Sequence, residues 1–153
     1  MITLEFTVDN EPFVEDQGMK PENIHAGILE ETCFLALVRF SVDGLELLKL
    51  HGSDVLGLNL PLIGFASHLF GLVTRLKVGA SEKLYLAGGG TIAFDRSGDS
   101  VTIRSSIVKD VATVGHGDLC SASKSLLHRV RDLVLQHIPE MRSHSNWAQW
   151  FSE

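Results

Sequence analysis

Seven histidines, His25, His51, His68, His116, His128, His137 and His144, are the residues of this 153-residue chain best suited to chemistry. Imidazole titrates near neutral pH and ligates metals, so spacing decides what each one can do. Zinc ligands carried on one local element need an HExxH, a His-x-His or a Cys-x-x-Cys arrangement to converge on one ion. None of these occurs, and Cys33 and Cys120 stand far apart in the chain. No metal and no cofactor is expected. His116-Gly117-Asp118 places an imidazole next to a carboxylate, a pairing that orients a general base. It lacks a nucleophile: Ser121, Ser123 and Ser125 follow on a helix, without the strained turn that exposes a catalytic serine. Gly88-Gly89-Gly90-Thr91 has the glycines of a phosphate loop, but a strand-like run follows and no Gly-Lys-Ser/Thr is present, so a β turn is expected there.

Charge gives a sharper signal. Between residues 9 and 31 the acidic side chains are Asp9, Glu11, Glu15, Asp16, Glu22, Glu30 and Glu31, opposed by Lys20 alone, a net charge of −6. The whole chain also carries −6, because the other residues have 12 acidic and 12 basic side chains. A local field of one sign speeds capture of an oppositely charged protein and rejects like-charged ones. These seven acids are the expected partner-binding residues. Nucleic acid is not an expected partner, since a phosphate backbone calls for a basic surface. Lys124, Arg129 and Arg131 read as the solvated face of a helix.

The elements that must position these groups follow from periodicity. Ile2, Leu4, Phe6 and Val8 alternate with polar residues as in a half-buried strand. Residues 9–31 read as a long surface loop or a short helix. Phe34 to Val42 is rich in β-formers, Asp43-Gly44 suits a hairpin turn, and Leu45 to Leu50 is the return strand. Pro61 is placed to start a helix in which Leu62, Phe65, Ala66, Leu69, Val73 and Leu76 recur at helical spacing, with Gly79 as its C-terminal cap. Lys83 to Ala87, Thr91 to Asp95 and Ser100 to Ser105 form a meander, with Val111 to Val114 as an edge strand. Asp118 is expected to cap a last long helix, with Leu119, Ala122, Leu126, Val130, Leu133 and Ile138 in one stripe and Pro139 at its end. Trp147, Trp150 and Phe151 belong to a short terminal turn that folds back on the core.

Together these predict one α+β domain over residues 1–153, an antiparallel sheet of about five to six strands packed with two main helices. The composition, 44% hydrophobic and 21% charged, is that of a globular protein. The uncharged run from Val55 to Thr74 is long enough to span a bilayer, but Asn59, Pro61, His68 and three glycines favour a buried helix, so no membrane association is expected. The N-terminus lacks the basic and apolar regions of a secretory signal, which points to the cytoplasm, where the two cysteines are expected as free thiols.

The order of a Pro-started apolar helix (Leu60 to Leu76), a meander ending Ile92-Ala93-Phe94-Asp95-Arg96-Ser97-Gly98-Asp99-Ser100-Val101-Thr102-Ile103, and an amphipathic helix closing on Ile138-Pro139-Glu140 resembles small bacterial immunity proteins. Those families neutralise toxins of polymorphic and contact-dependent growth inhibition systems. The resemblance is one of layout over residues 34–141. It implies stoichiometric binding of a cognate protein toxin in the producer's cytoplasm, and the acidic segment makes a basic, nuclease-type toxin the expected partner. It carries over no catalytic residue, so the chain is not expected to be an enzyme. Two other readings stand beside it: a small enzyme or ligand-binding protein with a cleft near His116 and Asp118, and an oligomeric subunit docking through Trp147, Trp150 and Phe151.

Overall fold

The computed structural model describes residues 1–8, 23–31 and 33–152. Eight strands and four helices follow in the order β1 (Ile2–Thr7), α1 (Ala26–Glu31), β2 (Leu35–Val42), β3 (Leu45–Glu46), β4 (Leu58–Pro61), α2 (Leu62–Arg75), β5 (Ser81–Tyr85), β6 (Thr91–Ser97), β7 (Ser100–Ser105), β8 (Val111–Gly115), α3 (His116–His137) and α4 (Trp147–Phe151), with a 3-10 turn at Pro139–Ser143. The class is α+β, and among the described residues every strand pairing is antiparallel. The strands divide into two four-stranded sheets, where a single sheet of about five to six was expected.

The first sheet is centred on β2. Asp43 and Gly44 both take positive φ (49° and 85°), the primed turn whose twist suits a hairpin, and β3 returns from it. The return strand is shorter than its sequence suggests. Leu47 and Leu48 are both fully buried, so the alternation breaks after Glu46 and the chain leaves the edge. The vacated half of that edge is taken by β4, which pairs Leu58–Pro61 with Leu35–Val38. On the other side β1 aligns Leu4 with Phe40, both buried. The second sheet is the expected meander, β5-β6-β7-β8, with Ile92, Phe94, Val101 and Ile103 turned inward.

Helix α2 buries Leu62, Ile63, Gly64, Phe65, Ala66, Leu69, Leu72 and Val73, more than one stripe of its surface. It packs on α3 and touches β2 and β4 of one sheet and β5 of the other. Side chains from both sheets and all four helices share one hydrophobic cluster. Pro61 closes β4 and forms the N-cap of α2, one residue outside the helix, because Leu62 donates its N–H to the Phe34 carbonyl and the strand runs straight into the helix. The helix stops at Arg75, so Gly79 is not its cap; Gly79 lies in the following turn and donates to the Arg96 carbonyl. Among the described residues, no helix is long and apolar enough to cross a membrane.

Helix α3 likewise begins directly after a strand. Gly115 is its N-cap, and the His116 N–H is bound by the Asp99 carbonyl at 2.7 Å. Asp118 therefore sits inside the first turn and makes no capping hydrogen bond, although a carboxylate there still favours the helix dipole. The buried stripe is Leu119, Ser123, Leu126, Leu127, Val130 and Val134, while Ala122, Leu133 and Ile138 pack at its margin. Arg129 is more than a solvated charge: its guanidinium donates to the Leu4 carbonyl on the outer edge of β1 and lies 5.8 Å from the Phe6 ring.

Helices α1 and α2 meet at Gly64, where a Cβ would stand 2.2 Å from the Glu30 carbonyl oxygen. A side chain there must push backbone aside, whereas Gly71 on the same helix has open space around it. Gly64→Ala should lower the urea midpoint by the equivalent of about 1–3 kcal/mol with an unchanged m-value. Gly71→Ala should be neutral or stabilising by up to ~1 kcal/mol. Equal effects would show that the close approach is not rigid.

Candidate functional site

Asp9, Glu11, Glu15, Asp16 and Glu22 lie outside the described residues. Glu30 and Glu31 end α1 and diverge in role. The Trp150 indole N–H donates to Glu30 Oε1, and His68 Nε2 is 3.9 Å from Glu30 Oε2. The Glu30 side chain is only 19% exposed, so it links α1 to α4 and α2 from within. Glu31 faces solvent. Both glutamates border a groove of about 640 Å³. One wall of the groove is the flank of α2 from Pro61 through Gly64, His68 and Leu72 to Arg75. The opposite wall is the unbroken run Lys83 to Gly88. Its volume falls in the range of ligand-binding clefts.

His116 and Asp118 do not pair. The His116 ring turns toward α2, and its Nε2 lies 2.9 Å from the Val73 carbonyl. A carbonyl only accepts, so Nε2 carries the ring proton and donates it there. Arg96 Nη1, 3.3 Å from the same nitrogen, donates to the Leu76 carbonyl at 2.8 Å. Asp118 instead lines a shallow depression with Met1, Asp43 and Ser121 on a different side of the helix start.

Sequence reading missed the proximity of His116 to Cys120, whose Sγ is 3.5 Å from Nε2 and 3.8 Å from Nδ1. The signal was a spacing of four, visible only once the helix is known to start at His116. Burial pushes the Cys120 thiol up, partly opposed by the charge of Arg96. A nucleophilic cysteine needs the thiolate, so this environment favours the unreactive form. Burial of the tail follows the same pattern of internal use. His144 stacks on Trp150 at 4.7 Å, donates from Nε2 to the Ile24 carbonyl at 2.7 Å, and accepts the Asn146 N–H at Nδ1. Trp150 and Phe151 are buried in this chain's own core. Among the described residues, no three His, Cys, Asp or Glu side chains converge on a possible metal position.

Glu30→Ala removes the acceptor of a buried indole N–H and should lower stability by about 1–3 kcal/mol in thermal or urea unfolding. Glu30→Gln keeps an acceptor oxygen and should cost less, and Glu31→Gln should change nothing measurable. Equal losses at both positions would contradict the division of roles. In a Cys33→Ser background, iodoacetamide should alkylate Cys120 more slowly than a free thiol at pH 8, with a rate still rising above the ordinary thiol range. A plateau below that range would show that Arg96 outweighs burial.

No protein-family model, no curated protein and no solved structure matches this chain, so its function has to be argued from the residues and geometry above.

Proposed function

We propose that this chain acts by stoichiometric binding to a basic protein, as an immunity protein does toward its cognate toxin in the cytoplasm of the producing cell. The reading rests on one observation: a charge of −6 is concentrated in residues 9–31 of a chain that is otherwise neutral. Concentrated acid raises the encounter rate with a basic surface over distances up to the screening length, ~8 Å at physiological salt. Glu31, the last acid of that run, is exposed at the mouth of the groove. The groups best suited to chemistry, His116, His144 and Glu30, are engaged in bonds that join helices and turns. The reading therefore assigns them to the frame.

The test looks beside this gene for a large reading frame that ends in a short basic module, which the reading requires. Expression of its basic C-terminal module should arrest growth, and co-expression of this chain should restore it; a module that stays toxic overturns the reading. With the purified pair, replacing Glu11, Glu15, Asp16 and Glu22 together by glutamine or asparagine should slow association at least tenfold at low salt and flatten its salt dependence. Unchanged association rates would remove the acidic run from the interface.

A further inference from the structure

The unbroken run Lys83 to Gly88 along the groove has a geometric meaning. Successive side chains of a strand point to opposite faces, so Lys83, Leu84 and Tyr85 of β5 can line one groove in succession only if the edge of the strand faces it, and Leu86 to Gly88 continue that wall in the turn that follows. Among the described residues β5 is the terminal strand of its sheet. Its hydrogen-bonding phase follows from the two ends of the ladder: Leu86 donates to the Gly90 carbonyl, and Arg96 donates to the Ala80 carbonyl. Antiparallel pairs alternate, so Glu82 and Leu84 bond inward to β6, while the N–H and C=O groups of Ser81, Lys83 and Tyr85 point outward. Tyr85 is 76% exposed beside this edge.

The edge also has polarity. Arg75 and Glu82 approach to 3.8 Å, which places the start of β5 at the C-terminal end of α2. Glu30 touches Gly64, which places α1 at the other end. The strand therefore runs back along α2, with Arg75 and Lys83 toward one end of the groove and Glu30 and Glu31 at the other. From Glu82 to Tyr85 the strand covers ~10 Å at ~3.3 Å per residue, and α2 from Gly64 to Arg75 covers ~16 Å at ~1.5 Å per residue, so β5 lines the part of the groove toward Arg75 and the turn from Leu86 to Gly88 lines the rest.

We propose that this groove binds an extended segment of a protein partner, which adds to the second sheet as a fifth strand on the outer edge of β5. Backbone groups of Lys83 and Tyr85 supply the pairing, as in other cases of strand addition. Charge sets the direction. A segment antiparallel to β5 places its amino end beside Glu30 and Glu31 and its carboxyl end beside Arg75 and Lys83, so basic residues lead and acidic residues follow. The partner being a protein rests on the function proposed above; the strand addition rests on the edge itself.

The probe is a capped six-residue peptide with lysine first, glutamate last and alternating valine and threonine between, added to the full chain. Amide exchange at Lys83 and Tyr85 should slow at least tenfold at saturation. A peptide with the two end charges exchanged, and one N-methylated on the amides that face β5, should each bind at least tenfold more weakly. Tyr85→Pro should have the same effect with the melting temperature held, because that N–H is outside the β5–β6 ladder and proline is tolerated on an outward-facing edge. Protection elsewhere, equal binding of the N-methylated peptide, no binding up to ~1 mM, or a dimer that already protects these amides in the free chain would each overturn the proposal. The two proposals fail separately. Growth rescue at full strength by Tyr85→Pro removes strand addition and leaves toxin binding; protected amides without any rescue do the reverse.

Discussion

Helix α2 has too much apolar surface to be covered by one neighbour, and the arrangement around it follows from that constraint. A surface helix needs a stripe of roughly 100° against a core, whereas α2 buries five successive residues from Leu62 to Ala66 and then Leu69, Leu72 and Val73. Each fully buried leucine or isoleucine contributes about 1.5–3 kcal/mol only if something excludes water from it. Two small sheets flank the helix, α3 covers one side, and α1 crosses its first turns at the one position where a missing side chain lets backbone approach. Two sheets of four strands can wrap a central helix where a single wider sheet would cover only one of its faces.

Buried and half-buried polar side chains around this centre act as connectors between elements distant in sequence. His116 joins the start of α3 to the end of α2, His144 joins the tail to the residues before α1, and Glu30 holds the Trp150 indole. Each links groups that are apolar in surroundings and would be costly to leave unpaired. A histidine with one nitrogen donating and the other accepting is well suited to this, since it satisfies two backbone groups at once. His144 uses both of its ring nitrogens in this way.

Sheet edges are managed unequally. The outer edge of β1 is met by Arg129 from α3, β8 lies near β2, and the second edge of β2 is shared between β3 and β4. β5 is different: its outward groups at Lys83 and Tyr85 face a groove. Edge strands left open invite pairing with other chains, and proteins commonly blunt them with charge, as Lys83 and Glu82 do in part here. The contrast with the covered edges is the reason to regard this one as functional.

Much of the local structure was legible in the sequence. Period-two alternation located β1 and the meander, β-forming residues located β2, the Asp43-Gly44 turn was evident from its residue types, and helical spacing picked out one buried stripe of α2 but not Ile63, Gly64 and Leu72, which are buried as well. These features depend on side-chain pattern and backbone preference, which neighbours in sequence largely determine. The starts of α2 and α3 were misplaced by one and three residues because strands β4 and β8 continue into them without a loop, and Asp118 has no capping role where the chain is already anchored by Asp99. The −6 charge of residues 9–31 is a property of sequence alone. The split into two sheets, the binding of Glu30 but not Glu31, the turning of His116 away from Asp118 and the groove beside β5 were decided by tertiary structure, because each joins groups far apart in the chain whose meeting depends on how the whole of α2 is buried.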